Sequence, residues 1–330
     1  MALLVAILIV ALGTVIAAAV AYENAMTARR GTATYAFDQA VLIHQGAEAI
    51  AAFGLRQIVQ QDAKQLYIGQ GWDKPYGPLE VVPGVMLEAS LEDLQGRFNL
   101  NSLVTANGTG DAVQMAAFTK LLEVVGLEPK WTGYIVDWID YDLSPQNPDG
   151  AEDSVYMGQD PPYRTANRYI TSASELLALP GFGRDRYLKL APYVTALPPT
   201  GTVVNLCTAS AEVLNAYLPE GKTEFADDEL AKTRQNTSGC FPTIDVFQVQ
   251  FTAQQWSGAG TTPTAQPSPL ANQQQPGTQG GLRSKFGQTS HYFRLKSFIT
   301  IGSTEFNQYS LLYQDATQMV RPIQRSFTPD

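Results

Sequence analysis

A dense acidic segment lies near the middle of the 330-residue chain. Between positions 137 and 160 it carries seven carboxylates and no Lys or Arg. Packed together without a counter-charge, these groups would repel one another and raise each other's pKa values. Ca²⁺ relieves that repulsion, because it takes roughly six to eight oxygens from carboxylates and carbonyls in irregular loops. The expected ligands are Asp140, Asp142, Glu152 and Asp153, with Asp149 and Asp160 as further candidates.

Other interpretations of the acidic segment stay open. An EF-hand loop starting at Asp140 does not fit, because Pro145 stands where that loop needs Gly and Ala151 where it needs Glu. A solvated acidic loop without an ion is the simplest alternative. A carboxylate pair for glycosidase chemistry is compatible with the spacing, but no substrate-binding signature accompanies it.

Other kinds of functional site find little support. The chain has two histidines, His44 and His291, and no Gly-x-Ser-x-Gly elbow, which disfavours a serine hydrolase. Residues 176–184, LLALPGFGR, resemble the turn of a helix-hairpin-helix. Phosphate binding needs clustered Lys and Arg, whereas the net charge is −9. Nucleic acid is therefore not an expected partner, and the turn is interpreted as packing.

Cys207 and Cys240 are the only two cysteines. In an extracytoplasmic protein they would form one disulfide, worth about 3 to 4 kcal/mol for a loop of roughly thirty residues. Two buried free thiols are the alternative. Whether Cys207 and Cys240 are expected to pair therefore depends on the compartment in which this part of the chain lies.

The elements that position these groups begin with an uncharged run from Met1 to Tyr22. As a helix it would span roughly 33 Å, enough to cross a bilayer core of about 30 Å. The nearest basic residues, Arg29 and Arg30, follow the run, which by the positive-inside rule would place the following side in the cytoplasm. We expect instead that a basic leader preceded Met1 and was removed, which leaves the rest of the chain outside the cytoplasm.

Residues 23–62 are predicted to continue the same helix, roughly 90 Å long in all. Apolar or small residues recur there at steps of three and four, which predicts one packed face. His44 falls on that face and is interpreted as a core residue. The members of this stripe are Met26, Ala33, Phe37, Ala40, His44, Ala47, Ile50, Ala51, Gly54 and Ile58.

The remainder divides into strands and helices. Residues 79–103, 243–252 and 291–325 carry strand-like patterns, and residues 111–200 are mainly helical. Residues 256–281 are uncharged and rich in Gln, Gly, Pro, Thr and Ser, which predicts a flexible loop.

This arrangement predicts an α+β protein in which a sheet domain is interrupted by helices. Residues 63–103 and 201–330 would form the sheet domain. Residues 104–200 would form the inserted α-helical domain.

Several segments carry a family resemblance. The start MALLVAILIVAL is similar to the mature N-terminus of type IV pilin-like proteins. Residues 93–101 (DLQGRFNLN), 150–156 (GAEDSVY) and 162–167 (PYRTAN) resemble the minor pseudopilin K family of type II secretion. The resemblance covers most of the chain and is weakest at 256–281.

The resemblance implies a type IV pilin-like fold, with a long N-terminal helix, an antiparallel sheet and a large inserted helical domain with bound calcium. It also implies that prepilin peptidase cuts before Met1 and that the new terminus is methylated. The implied partners are the minor pseudopilins I and J, other pseudopilins through the N-terminal helix, and the inner-membrane assembly platform.

Position 5 departs from ordinary pilins, which carry Glu there to pair with a neighbour's terminal amine. This chain has Val5, and the resemblance implies the same departure, because the K family also lacks that Glu. A tip subunit has no earlier neighbour to pair with, so a carboxylate at that position would sit unpaired in an apolar setting.

The sequence therefore predicts a non-enzymatic pseudopilus-tip subunit that helps to initiate assembly for the export of folded periplasmic proteins. It would be a single-pass inner-membrane protein with a periplasmic head, located at the pseudopilus tip after assembly. The alternative is a calcium-dependent, membrane-anchored periplasmic hydrolase or adhesin.

Overall fold

The computed structural model describes residues 1–62, 64–199, 201–218, 226–236, 239–240 and 284–328. The predicted strand at 243–252 and the predicted flexible loop at 256–281 lie outside these residues. Within them, a 60-residue helix α1 (Ala2–Gln61) leads into a head built from a five-stranded sheet and several short helices.

The first third of α1 stands clear of the head. Its most apolar window is not buried at all. In the described part of the chain, α1 is the one helix that is long and apolar enough to cross a membrane. The prediction of one unbroken helix from the apolar run into the amphipathic segment is confirmed, and the helix ends at Gln61.

The second half of α1 packs on the sheet. The predicted stripe is correct for Ala40, His44, Ala47 and Ala51, which are buried. It is wrong for Ala33, Phe37 and Ile50, which are exposed. The stripe also omitted two buried positions, Glu48 and Leu55. A charged side chain such as that of Glu48 is not expected on a packed face.

The sheet is antiparallel, with strand order β1-β2-β7-β8-β9. It joins strands from both ends of the head sequence. Its members are β1 (Tyr76–Val82), β2 (Val85–Asp93), β7 (Tyr292–Ile301), β8 (Thr304–Gln314) and β9 (Val320–Ser326). The antiparallel sheet expected from the 79–103 and 291–325 patterns is therefore present, although β1 begins slightly earlier.

The helical region lies in sequence between β2 and β7, which are neighbours in the sheet. The fold is thus the predicted α+β arrangement, a pilin-like helix and sheet with helices inserted. The inserted elements, in chain order, are β3 (Phe98–Asn99), α2 (Ala112–Val124), α3 (Trp131–Ile139), α4 (Asp153–Tyr156), α5 (Gly183–Leu190), β4 (Val194–Thr195), β5 (Val204–Asn205), α6 (Ala211–Asn215), α7 (Asp227–Asn236) and β6 (Phe286–Gly287).

The expected strand character of residues 94–103 is wrong for most of that segment. The side chains of Asp93 and Asn99 accept hydrogen bonds from the backbone N–H groups of Gln95 and Asn101. Such local bonds offer the backbone an alternative to a sheet ladder. The chain therefore folds into two 3₁₀ turns, Leu94–Gly96 and Leu100–Leu103, around the two-residue strand β3.

Beside a small cluster of Leu94, Leu197 and Tyr292, the described residues form two large apolar cores. One lies between α1 and the sheet and contains Leu55, Leu87, Phe293 and Leu312. The larger one fills the helical region, where it includes Phe98, Phe118, Ile135, Trp138, Tyr156 and Phe182. This second core supports the acidic segment, because Trp138 and Tyr156 belong to α3 and α4, on either side of the acidic loop.

Candidate metal centre

The acidic segment folds as a loop between two helices. Helix α3 ends at Ile139, and α4 begins at Asp153. Asp137 lies in the last turn of α3, Asp140 directly follows that helix, and Glu152 directly precedes α4. The helix ends therefore bring together side chains that are separated in sequence by the loop.

Asp137 ties the loop back onto α3. Its Oδ2 accepts a hydrogen bond of 2.6 Å from the backbone N–H of Ala151, and its Oδ1 accepts one of 3.1 Å from the backbone N–H of Gln146. The loop comes so close that two glycines are required. A Cβ at Gly150 would collide with the Gln146 nitrogen and Asp137 Oδ2, and a Cβ at Gly133 would collide with the carbonyl oxygen of Asp149.

Asp137, Asp140 and Glu152 form a compact carboxylate cluster. One oxygen from each lies within 4.8 Å of the other two. All three residues are buried, with exposed fractions of 0%, 0% and 5%. Three carboxylates at this separation repel one another strongly if all are ionised.

Several oxygens of the cluster are unsatisfied. Both carboxylate oxygens of Asp140 and Oε1 of Glu152 are buried and have no hydrogen-bond partner among the described residues. An orphaned buried acceptor is costly, and a charged one more so. The donor set contains only oxygens, which suits a hard cation such as Ca²⁺ better than a metal that favours nitrogen or sulfur. The residues present therefore fit a calcium ion.

The pKa values of the three clustered carboxyl groups are also raised, as expected for buried acids without a counter-charge. Burial, joined by the charges of Asp142 and Asp137, raises the pKa of Asp140 to about 7. Burial, with the charges of Asp137 and Asp140, raises the pKa of Glu152 to about 7. The pKa of Asp137 rises to about 6, again chiefly through burial, because its backbone hydrogen bonds offset only part of that effect.

The other predicted ligands lie at the edge of this cluster. Asp142 is exposed, and its Oδ1 accepts a 2.8 Å bond from the backbone N–H of Ser144. Asp153 accepts bonds from the N–H and hydroxyl of Thr165 and lies 3.7 Å from the Arg164 guanidinium. Among the described residues, Arg164 is thus a basic neighbour of the acidic segment, just beyond its end in sequence.

Asp149 and Asp160 are exposed. Within the described ranges, the three-carboxylate cluster contains only two of the predicted ligands, Asp140 and Glu152. Calcium ligation by the predicted set stays a prediction.

Asp137 is the cluster member that the predicted ligand set left out. It sits on a strongly apolar helix, where a sequence pattern indicates core packing rather than ligation. A signal was nevertheless present, because Asp137 and Asp140 are three residues apart and project from the same end of one helix. Gly150 in the following loop was the second signal, since it permits the close approach that buries Asp137.

Comparison with known proteins shows which family this region of the chain matches. Residues 96–199, which contain the whole candidate metal centre, match the model of the family described as type II secretion system protein K. A Klebsiella pneumoniae type II secretion system protein K is 33% identical over 79% of this chain and 82% of its own length. The Aeromonas hydrophila protein of the same name is 30% identical over 92% and 89%. The chain belongs to the type II secretion system protein K family.

Members of this family are minor pseudopilins, so the predicted family and the predicted role as a minor pseudopilin of type II secretion are confirmed. A chain in the crystal structure of the GspK–GspI–GspJ complex of enterotoxigenic Escherichia coli has the same fold. It superposes with a TM-score of 0.70 at 23% identity, covering 90% of this chain and 98% of that one.

The predicted disulfide is also present in this member of the protein K family. Cys207 and Cys240 are joined and fully buried. The bond ties the segment after α7 to the turn after β5.

Proposed function

We propose that this minor pseudopilin caps the tip of the pseudopilus and helps to start its assembly, for the export of folded periplasmic proteins across the outer membrane. The observation that carries the proposal is the combination of a bare apolar helix with a head enlarged by helices inserted between β2 and β7. The helix suits a filament core, whereas the enlarged head does not suit repetition along a narrow fibre.

The proposed partners follow from this role. Minor pseudopilins I and J would bind the head and helix from below, in line with the composition of the Escherichia coli complex whose chain shares this fold. Other pseudopilins would pack on α1, and the inner-membrane assembly platform would receive the subunit. Prepilin peptidase would generate and methylate the terminus at Met1.

The proposed location has two stages. Before assembly, residues 1–22 would anchor the chain in the inner membrane as a single pass, with the C-terminal head in the periplasm. After assembly, the same helix would lie in the pseudopilus core. The disulfide supports the periplasmic location, because disulfides persist in oxidising compartments.

Calcium would have a structural role in this function. Asp137, Asp140 and Glu152 would hold the ion, and carbonyl groups or water would complete its shell. The ion supplies positive charge to a buried cluster that is otherwise unsatisfied. It would thereby fix the loop between α3 and α4, and with it the surface of the helical region. The proposal includes no catalytic role for these carboxylates.

The alternative function is a calcium-dependent hydrolase or adhesin, and membership of the type II secretion system protein K family does not favour it. Turnover by the purified protein on glycoside or ester substrates would support it. We expect none.

Electron microscopy of the full-length protein in detergent and after detergent removal tests the tip assignment. A tip subunit does not propagate alone, so we expect no long regular filaments. Val5→Glu should be neutral or harmful in a secretion assay, because the new carboxylate has no partner amine at the tip. Long homopolymers, or improved secretion by Val5→Glu, would contradict the assignment.

A further inference from the structure

The contact between α1 and the sheet contains a buried polar cluster. We call it the polar clamp. Its members are His44 and Glu48 on α1, Ser297 on β7, Gln308 and Ser310 on β8, and Arg325 on β9.

Glu48 is the centre of the polar clamp. Its residue surface is 4% exposed, and its carboxylate accepts four hydrogen bonds from two strands. Arg325 donates from Nε and Nη2 at 2.7 Å each, Ser310 donates at 2.6 Å, and Gln308 donates at 3.1 Å. Burial alone would raise the pKa of Glu48, but the hydrogen bonds from Arg325 and Ser310 hold it below its usual value.

His44 adds a second link one helical turn away. Its Nδ1 lies 2.7 Å from the Ser297 hydroxyl, and that hydroxyl donates to the backbone carbonyl of Gln308. Burial lowers the pKa of His44 to about 4, against the opposing effect of Glu48, so the ring is neutral near pH 7. The polar clamp therefore connects two turns of α1 to three adjacent strands.

The fully buried apolar part of the same contact consists mostly of small side chains, and the larger Ile43 and Ile58 are only half-buried there. Of the buried apolar residues of α1, Ala40, Ala47 and Ala51 are alanines, and Leu55 alone is large. These small buried side chains define rotation and axial position less strongly than the directional hydrogen bonds of the polar clamp. A slide of one turn would replace Glu48 with Ala52 or His44, and would leave Arg325, Gln308 and Ser310 without their acceptor.

We infer that His44, Glu48 and Arg325 are positioning residues that fix the rotation and axial register of the head on α1. Burying polar groups to obtain a unique register is the best-attested use of such groups. The inference deepens the proposed function and rests on it for its biological meaning. In that function α1 joins the subunit to the filament, so the register of the head decides which surface the head presents there.

The direction of α1 relative to the sheet makes the register measurable. Phe37 contacts Phe306 and Glu48 contacts Ser310, so α1 runs in the same direction as β8. Leu42 on α1 and Thr317 in the turn after β8 are both exposed. A slide of one turn therefore changes the distance between these positions by up to about 5.4 Å.

Pulsed electron spin resonance on the full chain in detergent micelles tests the inference. Nitroxides are attached to Leu42→Cys and Thr317→Cys; Cys207 and Cys240 are paired and buried, so they remain unlabelled. We expect one narrow distance distribution. In the background Glu48→Leu/Arg325→Leu, which removes both charges together, we expect a second or shifted peak, displaced by up to about one turn of 5.4 Å.

The matched control is Asp228→Leu/Lys232→Leu, which removes an exposed ion pair on α7. The distribution should stay narrow there, and broadening in the control as well would contradict a specific role. If the clamp variant fails to fold, Arg325→Gln is used, because the Arg325 side chain is 47% exposed and Gln keeps a hydrogen-bond donor for Glu48. A folded clamp variant with the unchanged narrow distribution would overturn the inference. The distance is measured within one chain, so failure to bind minor pseudopilins does not affect it.

Discussion

The buried carboxylates of Asp140 and Glu152 bring an oxygen each to within 4.8 Å, although they lie at opposite ends of the acidic loop. Neither group is neutralised by a basic side chain in the described structure, and three of their four oxygens have no hydrogen-bond partner there. Calcium binding would make this pair stabilising, because a cation removes both the repulsion and the unsatisfied acceptors.

The first prediction concerns calcium and thermal stability. Millimolar Ca²⁺ should raise the melting temperature of the full chain relative to chelator, since a ligand that binds only the folded state stabilises it by about 2.7 kcal/mol at a hundred times its Kd. Asp140→Asn and Glu152→Gln should largely abolish this gain, while leaving the stability in chelator unchanged or higher.

Asp160→Asn is the matched control, because Asp160 is an exposed acid of the same segment. It should keep most of the calcium gain. An equal melting temperature in chelator and in calcium for the unmodified protein would refute the calcium site. Equal loss in the control would indicate a diffuse charge effect rather than the cluster of Asp137, Asp140 and Glu152.

The second prediction concerns pH. The folded-state pKa values of Asp140 and Glu152 lie near 7, above their ordinary values of 3.8 and 4.5. The folded state therefore holds these protons more tightly, and their contribution to stability is present below about pH 4 and lost as pH rises to about 7. In chelator, the free energy of unfolding contributed by these groups should fall across that window.

Calcium should reverse this trend, because it binds the deprotonated pair. The stabilisation by calcium should be small at about pH 5 and large at about pH 8. Urea unfolding at both pH values, with and without calcium, measures the effect. A calcium gain that is independent of pH would exclude ligation by groups with raised pKa values.

The third prediction concerns the close contact of the loop with α3. Gly133→Ala places a methyl group against the carbonyl oxygen of Asp149, so it should destabilise the protein by about 1 to 3 kcal/mol and weaken calcium binding. Gly158→Ala is the control, since its nearest neighbour would be at 3.4 Å, an ordinary contact. Isothermal titration with calcium and urea unfolding distinguish the two variants. Similar behaviour of both would contradict the packing argument.

The fourth prediction concerns the disulfide. Removing the bond between Cys207 and Cys240, which are 33 residues apart, in the variant Cys207→Ala/Cys240→Ala should lower the free energy of unfolding by about 3 to 4 kcal/mol. Reductant should lower the stability of the unmodified chain by a similar amount and leave the variant unaffected. Thiol labelling of the unreduced, denatured chain should give no signal, and two reactive thiols per chain would contradict the bond.

Much of the fold could be predicted from local patterns. The uncharged start of the chain and the three- and four-residue spacing after it predicted α1, because both signals depend on neighbours within the same helix. The alternation of residues 291–325 predicted antiparallel strands there, because an alternating pattern also depends only on neighbours within one strand. The strand prediction for most of residues 94–103 is wrong, because the Asp93 and Asn99 side chains accept hydrogen bonds from backbone N–H groups that a strand would use for pairing.

Long-range contacts could not be predicted in the same way. Burial of Glu48 requires Arg325, which is 277 residues away in sequence. The role of Asp137 depends on the loop folding back against Gly133, and the pattern of an apolar helix hides it. In both cases the polar side chain is buried because it bonds to residues outside its own helix, and no local sequence pattern identifies those residues.

Assembly with the other minor pseudopilins tests the tip role most directly. The full chain, purified in detergent with calcium, is mixed with minor pseudopilins I and J and passed through size-exclusion chromatography with light scattering. We predict one complex containing a single copy of each subunit, because a cap has one place in the filament. A complex of I and J that forms while this chain elutes alone, or one that takes up several copies of it, would contradict the account.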